Sequence, residues 1–249
     1  MKKIHCKNKI PVIEYEKSNI YIIENILDIS FCDILKNVID TIPLTKLDII
    51  PGNNIECNIN YISDIIKTND ELYYEFSTDS KIYDNLLEKI KLKKSIYNNK
   101  LNGVTKKNII EYRDKLDDVM VQIKELMKPI NHKIVFDSNF GYILRKIHGG
   151  TRLHVDGVDS GKKSDTNINF IDNNKRYTGK MVRNASIIFT INDDYEGGEF
   201  CFPYYDIKLK LKKGSVIIFP PYWTHDHEVL SVENNTYRYT VSTWTSEKI

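Results

Sequence analysis

Hydrophobic and polar positions along this chain follow two rhythms, and the change between them falls near residue 135. Before it, apolar residues recur at helical spacing. After a short strand-like run, NIYIIEN, the segment NILDISFCDILKNVIDTI places Ile26, Leu27, Ile29, Phe31, Ile34, Leu35, Val38 and Ile39 along one face, which predicts a helix. Two more amphipathic helices are predicted, over KIYDNLLEKIKLKKSIY (81–97) and KKNIIEYRDKLDDVMVQIKELM (106–127). In the second, Ile109, Ile110, Tyr112, Leu116, Val119, Met120, Ile123 and Leu126 form the stripe, and Pro129 ends it. The lysine run at 91–94 reads as a solvated helix face.

Past residue 135 short strand-like runs alternate with turns: FGYILRKI, NASIIFTIND, GGEFCFPYY, DIKLKLKKGSVIIFPP and YRYTVSTWTS. Ile207, Leu209 and Leu211 alternate with lysines, the pattern of a half-buried strand. The Lys-Lys-Gly that follows, leading into SVIIF, predicts a hairpin. Strands joined by turns with no helix between them describe a sandwich or barrel. The polar, Gly- and Asn-rich stretch 157–183 reads as a long loop that closes over whatever the adjoining motif binds. The expectation is an α+β chain with a mainly β core: one domain over 1–249, with 1–134 as a strand and helical support and 135–249 as the core.

Composition narrows the classes. A chain of 249 residues can bury a substantial core, and its net charge of +2 is too small to argue for nucleic acid or an acidic membrane as partner. No apolar run approaches the ~20 residues needed to cross a bilayer. The opening MKKIHCKNKIPVIEYEK runs into more charge instead of an apolar segment, so no secretory leader is expected. Cys6, Cys32, Cys57 and Cys201 are scattered, which suits reduced thiols and a cytoplasmic location. The abundance of Ile, Lys and Asn suggests an AT-rich genome; if that genome is viral, the compartment is the host cytoplasm. Oligomeric state is not legible.

Candidate chemistry begins at LHVDGV, where His154 and Asp156 stand two apart. Residues at i and i+2 project to one side of a strand. Alone, the pair reads equally as two polar residues at a strand end. PPYWTHDHEVLSVENNTYRYTVSTW, beginning at Pro220, adds two histidines, His225 and His227, and a strand carrying Arg238. Two imidazoles and one carboxylate form the facial set that binds Fe(II) and leaves positions open for substrates. No Ser-His-Asp or Cys-His arrangement competes with it.

LHVDG, INDDYEGGEFCFP, LKKGSVIIFPP and HEVLSVENNTYRYTVSTW, in that order over about residues 140–246, resemble the catalytic domain of the Fe(II)/2-oxoglutarate-dependent dioxygenases, nearest the prolyl 4-hydroxylase-like branch. The resemblance implies a double-stranded β-helix, or jelly roll, buttressed by helices. It also implies Fe(II), 2-oxoglutarate as co-substrate, O2 and ascorbate. The family's His-x-Val-x-x-Val falls on His227, Val229 and Val232, so His154, Asp156 and His227 are the expected catalytic metal ligands. Arg238 is expected to grip the distal carboxylate of 2-oxoglutarate, with Thr240 adding a hydroxyl; Tyr142 reads equally as a phenol for the co-substrate or as a packed aromatic. Gly197 and Gly198 are expected to serve a tight turn. The implied activity is hydroxylation of an unactivated C–H, first of a peptidyl proline, with a free amino acid or another small molecule as the alternative. The rival from another class is a non-catalytic, cupin-like metal-binding module. A nucleic-acid demethylase is disfavoured, because Trp244 stands where those enzymes carry a second arginine.

Overall fold

The computed structural model describes residues 2–7, 10–41, 106–136, 138–139, 142–157, 167–172 and 175–248. The predicted helix over 81–97, the lysine run 91–94 and Cys57 lie outside them. The helices are α1 (Ile29–Thr41) and α2 (Lys106–Met127). The strands are β1 (Lys2–Lys7), β2 (Ile10–Tyr15), β3 (Ile20–Ile23), β4 (Ser138–Asn139), β5 (Ile143–Ile147), β6 (Thr151–His154), β7 (Asn167–Asp172) and β8 (Lys175–Thr190). They continue with β9 (Glu196–Gly197), β10 (Phe200–Phe202), β11 (Ile207–Leu209), β12 (Val216–Phe219), β13 (His227–Val229), β14 (Val232–Glu233) and β15 (Arg238–Lys248).

Two antiparallel sheets face each other. The larger runs β1-β2-β3-β12-β8-β15-β4, with β5 also on β15 and β7 on β8; the smaller runs β11-β10-β13-β6. This is the double-stranded β-helix, a mainly β fold with helices on one outer face. Strand alternation decides which residue goes where. On β8, β12, β15 and β5, the side chains of Ile187, Phe189, Val216, Ile218, Tyr239, Val241 and Leu144 pack outward into one core with α1 and α2. The intervening residues Ile188, Ile217 and Phe219 face the other way, onto Phe200, Phe202, Leu209 and Val229 of the smaller sheet. The cavity between the sheets is therefore lined by every second residue of these strands.

The helices are held by specific contacts. Asp28 caps α1 by accepting from the Ser30 and Phe31 amides at 2.8 and 3.2 Å. At the other end, Asp40 accepts from the Tyr239 phenol at 2.7 Å and pairs with Lys146 at 2.6 Å, tying α1 to β15 and β5. The α2 stripe buries Leu116, Val119, Met120, Ile123 and Leu126 as its spacing predicted. None of the described helices is long and apolar enough to cross a membrane.

Two expectations are corrected and one element is new. At the N-terminus, β1 and β2 form a hairpin, Cys6 opposite Pro11, that extends the larger sheet. The runs IKL and VIIF are not a hairpin. β11 pairs with β10 in the smaller sheet, whereas β12 lies between β3 and β8 in the larger. VIIF is buried at every position and needs neighbours on both edges, so the chain changes sheets at Gly214, whose φ of +79° a side chain would resist. Finally, much of 157–183 is strand. β7 and β8 pair from Asn167↔Lys180 to Asp172↔Lys175.

Leu35 is fully buried where α1 meets the larger sheet. Leu35→Ala is expected to lower unfolding free energy by about 2–5 kcal/mol in urea denaturation. A loss below about 0.5 kcal/mol would contradict this packing.

Candidate metal centre and its cavity

β6 and β13 are neighbours in the smaller sheet, and their register sets His154 directly opposite His227. The two rings lie 4.4 Å apart between centroids. Asp156 follows the end of β6, at a turn where the Gly157 amide donates to the Pro221 carbonyl at 2.6 Å. A side chain at 157 would collide with that carbonyl, so the turn needs glycine. His154 Nε2 is 3.6 Å and His227 Nε2 4.0 Å from Asp156 Oδ1. One ligand atom from each of the three residues falls within 4.8 Å of the others.

Backbone carbonyls fix which nitrogen each ring presents. His154 Nδ1 lies 2.8 Å from the Arg152 carbonyl, and His227 Nδ1 lies 3.1 Å from the His225 carbonyl. A carbonyl can only accept, so both Nδ1 atoms carry the proton and both Nε2 lone pairs point at the common centre. His227 is caged by Phe219, Phe200 and Phe202 at ring distances of 4.8, 5.9 and 5.6 Å. That burial pushes its pKa down, against the attraction of Asp156. Burial also works to lower His154, but hydrogen bonds to Asp156 and to the Arg152 carbonyl outweigh it and leave the pKa raised. Burial would raise the Asp156 carboxyl, yet its two histidine neighbours hold it well below the usual range. His225 belongs elsewhere: its Nε2 meets the Ser18 carbonyl at 2.5 Å and Nδ1 the Thr224 hydroxyl at 2.8 Å.

Arg238 opens β15 on the cavity face and is 3% exposed. Its guanidinium lies over the Phe200 ring at 4.8 Å, and Phe200 also stacks on His227, so arginine and metal cluster share one cavity. Burial pushes its pKa down and the Tyr195 phenol opposes this by hydrogen bonding. Nη2 is buried without a partner, and no carboxylate pairs with Arg238 among the described residues. Thr240, 1% exposed, follows on the same face, between Thr190 of β8 and Arg145 of β5. Tyr142 is a correction. It points into the helix-side core and its phenol donates to Asp117 of α2 at 2.5 Å, because it shares the face of Leu144 and not that of Arg145.

Three cavity residues escaped the sequence reading. Arg145 could have been found as a charge at an inward position of a strand, and Tyr195 carried no periodic signal. Arg183 packs on Trp244 at 4.0 Å and donates to the Asp156 carbonyl, steadying the turn that carries the carboxylate. Gly197 and Gly198 have φ of +66° and +69°, as a tight turn demands.

An N, N, O donor set with fixed lone pairs suits a divalent transition metal such as Fe(II). A buried guanidinium without a counter-charge, beside the orphaned hydroxyls of Thr190 and Ser242, suits a carboxylate guest. The residues present therefore fit both Fe(II) and 2-oxoglutarate.

Residues 143–246 match the family model of the 2OG-Fe(II) oxygenase superfamily. Among solved structures, the chain is similar to a prolyl hydroxylase from Trichoplax adhaerens in complex with a hypoxia inducible factor oxygen degradation domain peptide. The identity is 14%, covering 92% of this chain and 84% of that one, with a TM-score of 0.53. It is also similar to a viral collagen prolyl hydroxylase from Paramecium Bursaria Chlorella virus-1, at 17% identity over 92% and 89% of the two chains and a TM-score of 0.50. These likenesses establish the fold. No curated protein sequence matches the chain.

Asp156→Ala is expected to weaken Co(II) or Mn(II) binding more than about a hundredfold while leaving the circular dichroism spectrum unchanged. Unaltered metal affinity would refute the assignment of the ligand set. A metal must displace the proton that His154 retains with a raised pKa. Affinity is thus expected to fall about tenfold per pH unit below that pKa, in titrations between pH 8 and 5. A flat profile across that window would contradict the geometry.

Proposed function

We propose that this chain, whose residues 143–246 belong to the 2OG-Fe(II) oxygenase superfamily, hydroxylates the proline of a peptide substrate. The protein is a 2-oxoglutarate-dependent dioxygenase. The observation that carries the reading is the combination of two Nε2 lone pairs and one carboxylate with a buried guanidinium that no described carboxylate pairs, in a single cavity.

In this reading His154, Asp156 and His227 hold Fe(II), while Arg238 and Thr240 hold the distal carboxylate of 2-oxoglutarate. Bound together, metal and keto acid supply the oxidising power by which one oxygen atom of O2 enters a substrate C–H bond. The chain's own residues orient and exclude. The Arg238 fork can grip a carboxylate bidentately. Phe200, Phe202 and Phe219 keep water from His227. The Nδ1 protons, held on backbone carbonyls, leave Nε2 of each ring as the coordinating atom, and no side chain is needed as general base. Ascorbate serves as the reductant that keeps the metal ferrous.

Peptidyl proline is preferred because the ordered motifs resemble that branch. The surface beside the site supports it. Large side chains stand exposed next to the ligand-bearing segments: Leu153 before His154, and Tyr222 and Trp223 just ahead of β13. Trp223 is 76% exposed, and the bond from Gly157 to Pro221 holds its turn beside the Asp156 turn. Flat aromatic faces pack well on pyrrolidine rings.

The test is incubation with Fe(II), 2-oxoglutarate, ascorbate and proline-rich peptides, reading succinate and a peptide mass gain of one oxygen atom. Equimolar succinate and hydroxylated peptide are expected, with kcat/KM for 2-oxoglutarate down more than about a hundredfold in Arg238→Gln. Oxygen found on a free amino acid instead would change the substrate class. No succinate despite full metal occupancy would leave a metal-binding module without turnover.

A further inference from the structure

The cavity holds a second cation that the reading above leaves without a task. Arg145 lies on β5, between Leu144 on the helix side and Lys146, so its side chain starts on the cavity face. Its register partner is Thr240, and Ile147 on the same strand pairs with Arg238. Side chains two positions apart across an antiparallel pair are diagonal neighbours, about 7–8 Å apart at the backbone and within reach of long side chains. Arg145 and Arg238 are such a pair, so two guanidiniums are aimed into one low-dielectric space.

No described carboxylate balances them. Arg145 Nε is buried with no hydrogen-bond partner, as is Arg238 Nη2. Among the described residues no carboxylate forms an ion pair with either arginine. The Arg145 charge acts unfavourably on Arg238 on one side and on His154 on the other. Its charge is therefore felt by both the buried arginine and the metal cluster. Two uncompensated, repelling cations around one cavity destabilise the empty protein, and such an arrangement persists where a ligand supplies the missing charge. A ligand with one carboxylate would satisfy one arginine. A dicarboxylate satisfies both.

We propose that Arg145 is a second anion anchor of the co-substrate pocket, so that a dicarboxylate is held between Arg145 and Arg238 by charge before and apart from its bonds to metal. The proposal rests on the co-substrate reading above and adds a binding residue to it. It implies that the pocket retains succinate as well as 2-oxoglutarate, because succinate keeps both carboxylates and lacks only the chelating keto group.

The test is calorimetric titration of the full chain, first freed of metal and titrated with succinate, then loaded with Mn(II) and titrated with 2-oxoglutarate. Wild type is expected to bind both ligands. R145Q is expected to weaken both by about tenfold or more, the scale of a charged hydrogen-bonding partner. Ligand-free R145Q should melt at or above the wild-type temperature, because removing a packing residue would lower it whereas removing a like charge does not. R145K keeps the charge without the fork and is expected to recover part of the affinity; if R145Q fails to fold, R145K weaker than wild type by about threefold or more carries the test. Unchanged affinity for both ligands in the folded variant overturns the anchor and leaves the co-substrate reading standing. Wild type that binds no 2-oxoglutarate even with Mn(II) overturns both.

Discussion

Two backbone carbonyls, those of Arg152 and His225, govern what the cavity can coordinate. Each lies against the Nδ1 of the histidine two residues later, so each imidazole is held in one tautomer with Nε2 directed at Asp156. If the protons sat on Nε2, the cluster would present donors where a metal needs lone pairs. The arrangement costs little because it is built into strand geometry. His154 ends β6 and His227 begins β13, opposite one another in the same antiparallel pair. The carboxylate then needs only the tight turn at Gly157 to reach the same point.

The other half of the site follows from alternation along four strands of the larger sheet. Their outward residues dissolve into the core shared with α1 and α2, and that core holds the sheet's shape. Their inward residues divide: Ile188, Ile217 and Phe219 pack on the smaller sheet, while Arg145, Ser186, Thr190, Arg238, Thr240, Ser242 and Trp244 do not join that cluster. Most of them carry a buried polar atom without a hydrogen-bond partner among the described residues. A domain does not ordinarily leave so many polar groups unsatisfied in its interior. Here they line one wall, facing the histidines across the aromatic cage of Phe200, Phe202 and Phe219, which is how the fold separates stability from chemistry. The Asp40 contacts to Tyr239 and Lys146 join the two halves, since both partners adjoin inward-facing arginines on their strands.

Much of this was legible in the residues. The stripe of α2 and the alternation in β11 emerged because short-range periodicity reports which face is buried. The His-x-Asp pair and the spacing around His227 pointed to residues that the fold does bring together. What stayed hidden depends on long-range pairing. Ile207-Lys-Leu and Val216-Ile-Ile-Phe sit a turn apart yet join different sheets, because a fully buried strand must find two neighbours and no local rule names them. β1 and β2 lacked a strong pattern, and the sheet edge that receives them is built elsewhere. Tyr142, readable as a cavity phenol or a packed aromatic, shares the helix-side face of Leu144; one step of register separates a ligand-facing phenol from a core tyrosine. The same step, read correctly, would have found Arg145.

Anomalous X-ray diffraction from crystals soaked with Mn(II) and 2-oxoglutarate tests the central claim most directly. The account predicts one ion bound by His154 Nε2, His227 Nε2 and an Asp156 oxygen, with the carboxylate farther from the metal lying against the Arg238 guanidinium. An ion held through Nδ1, placed away from these three residues, or accompanied by an Arg238 that makes no contact with the ligand, would contradict it.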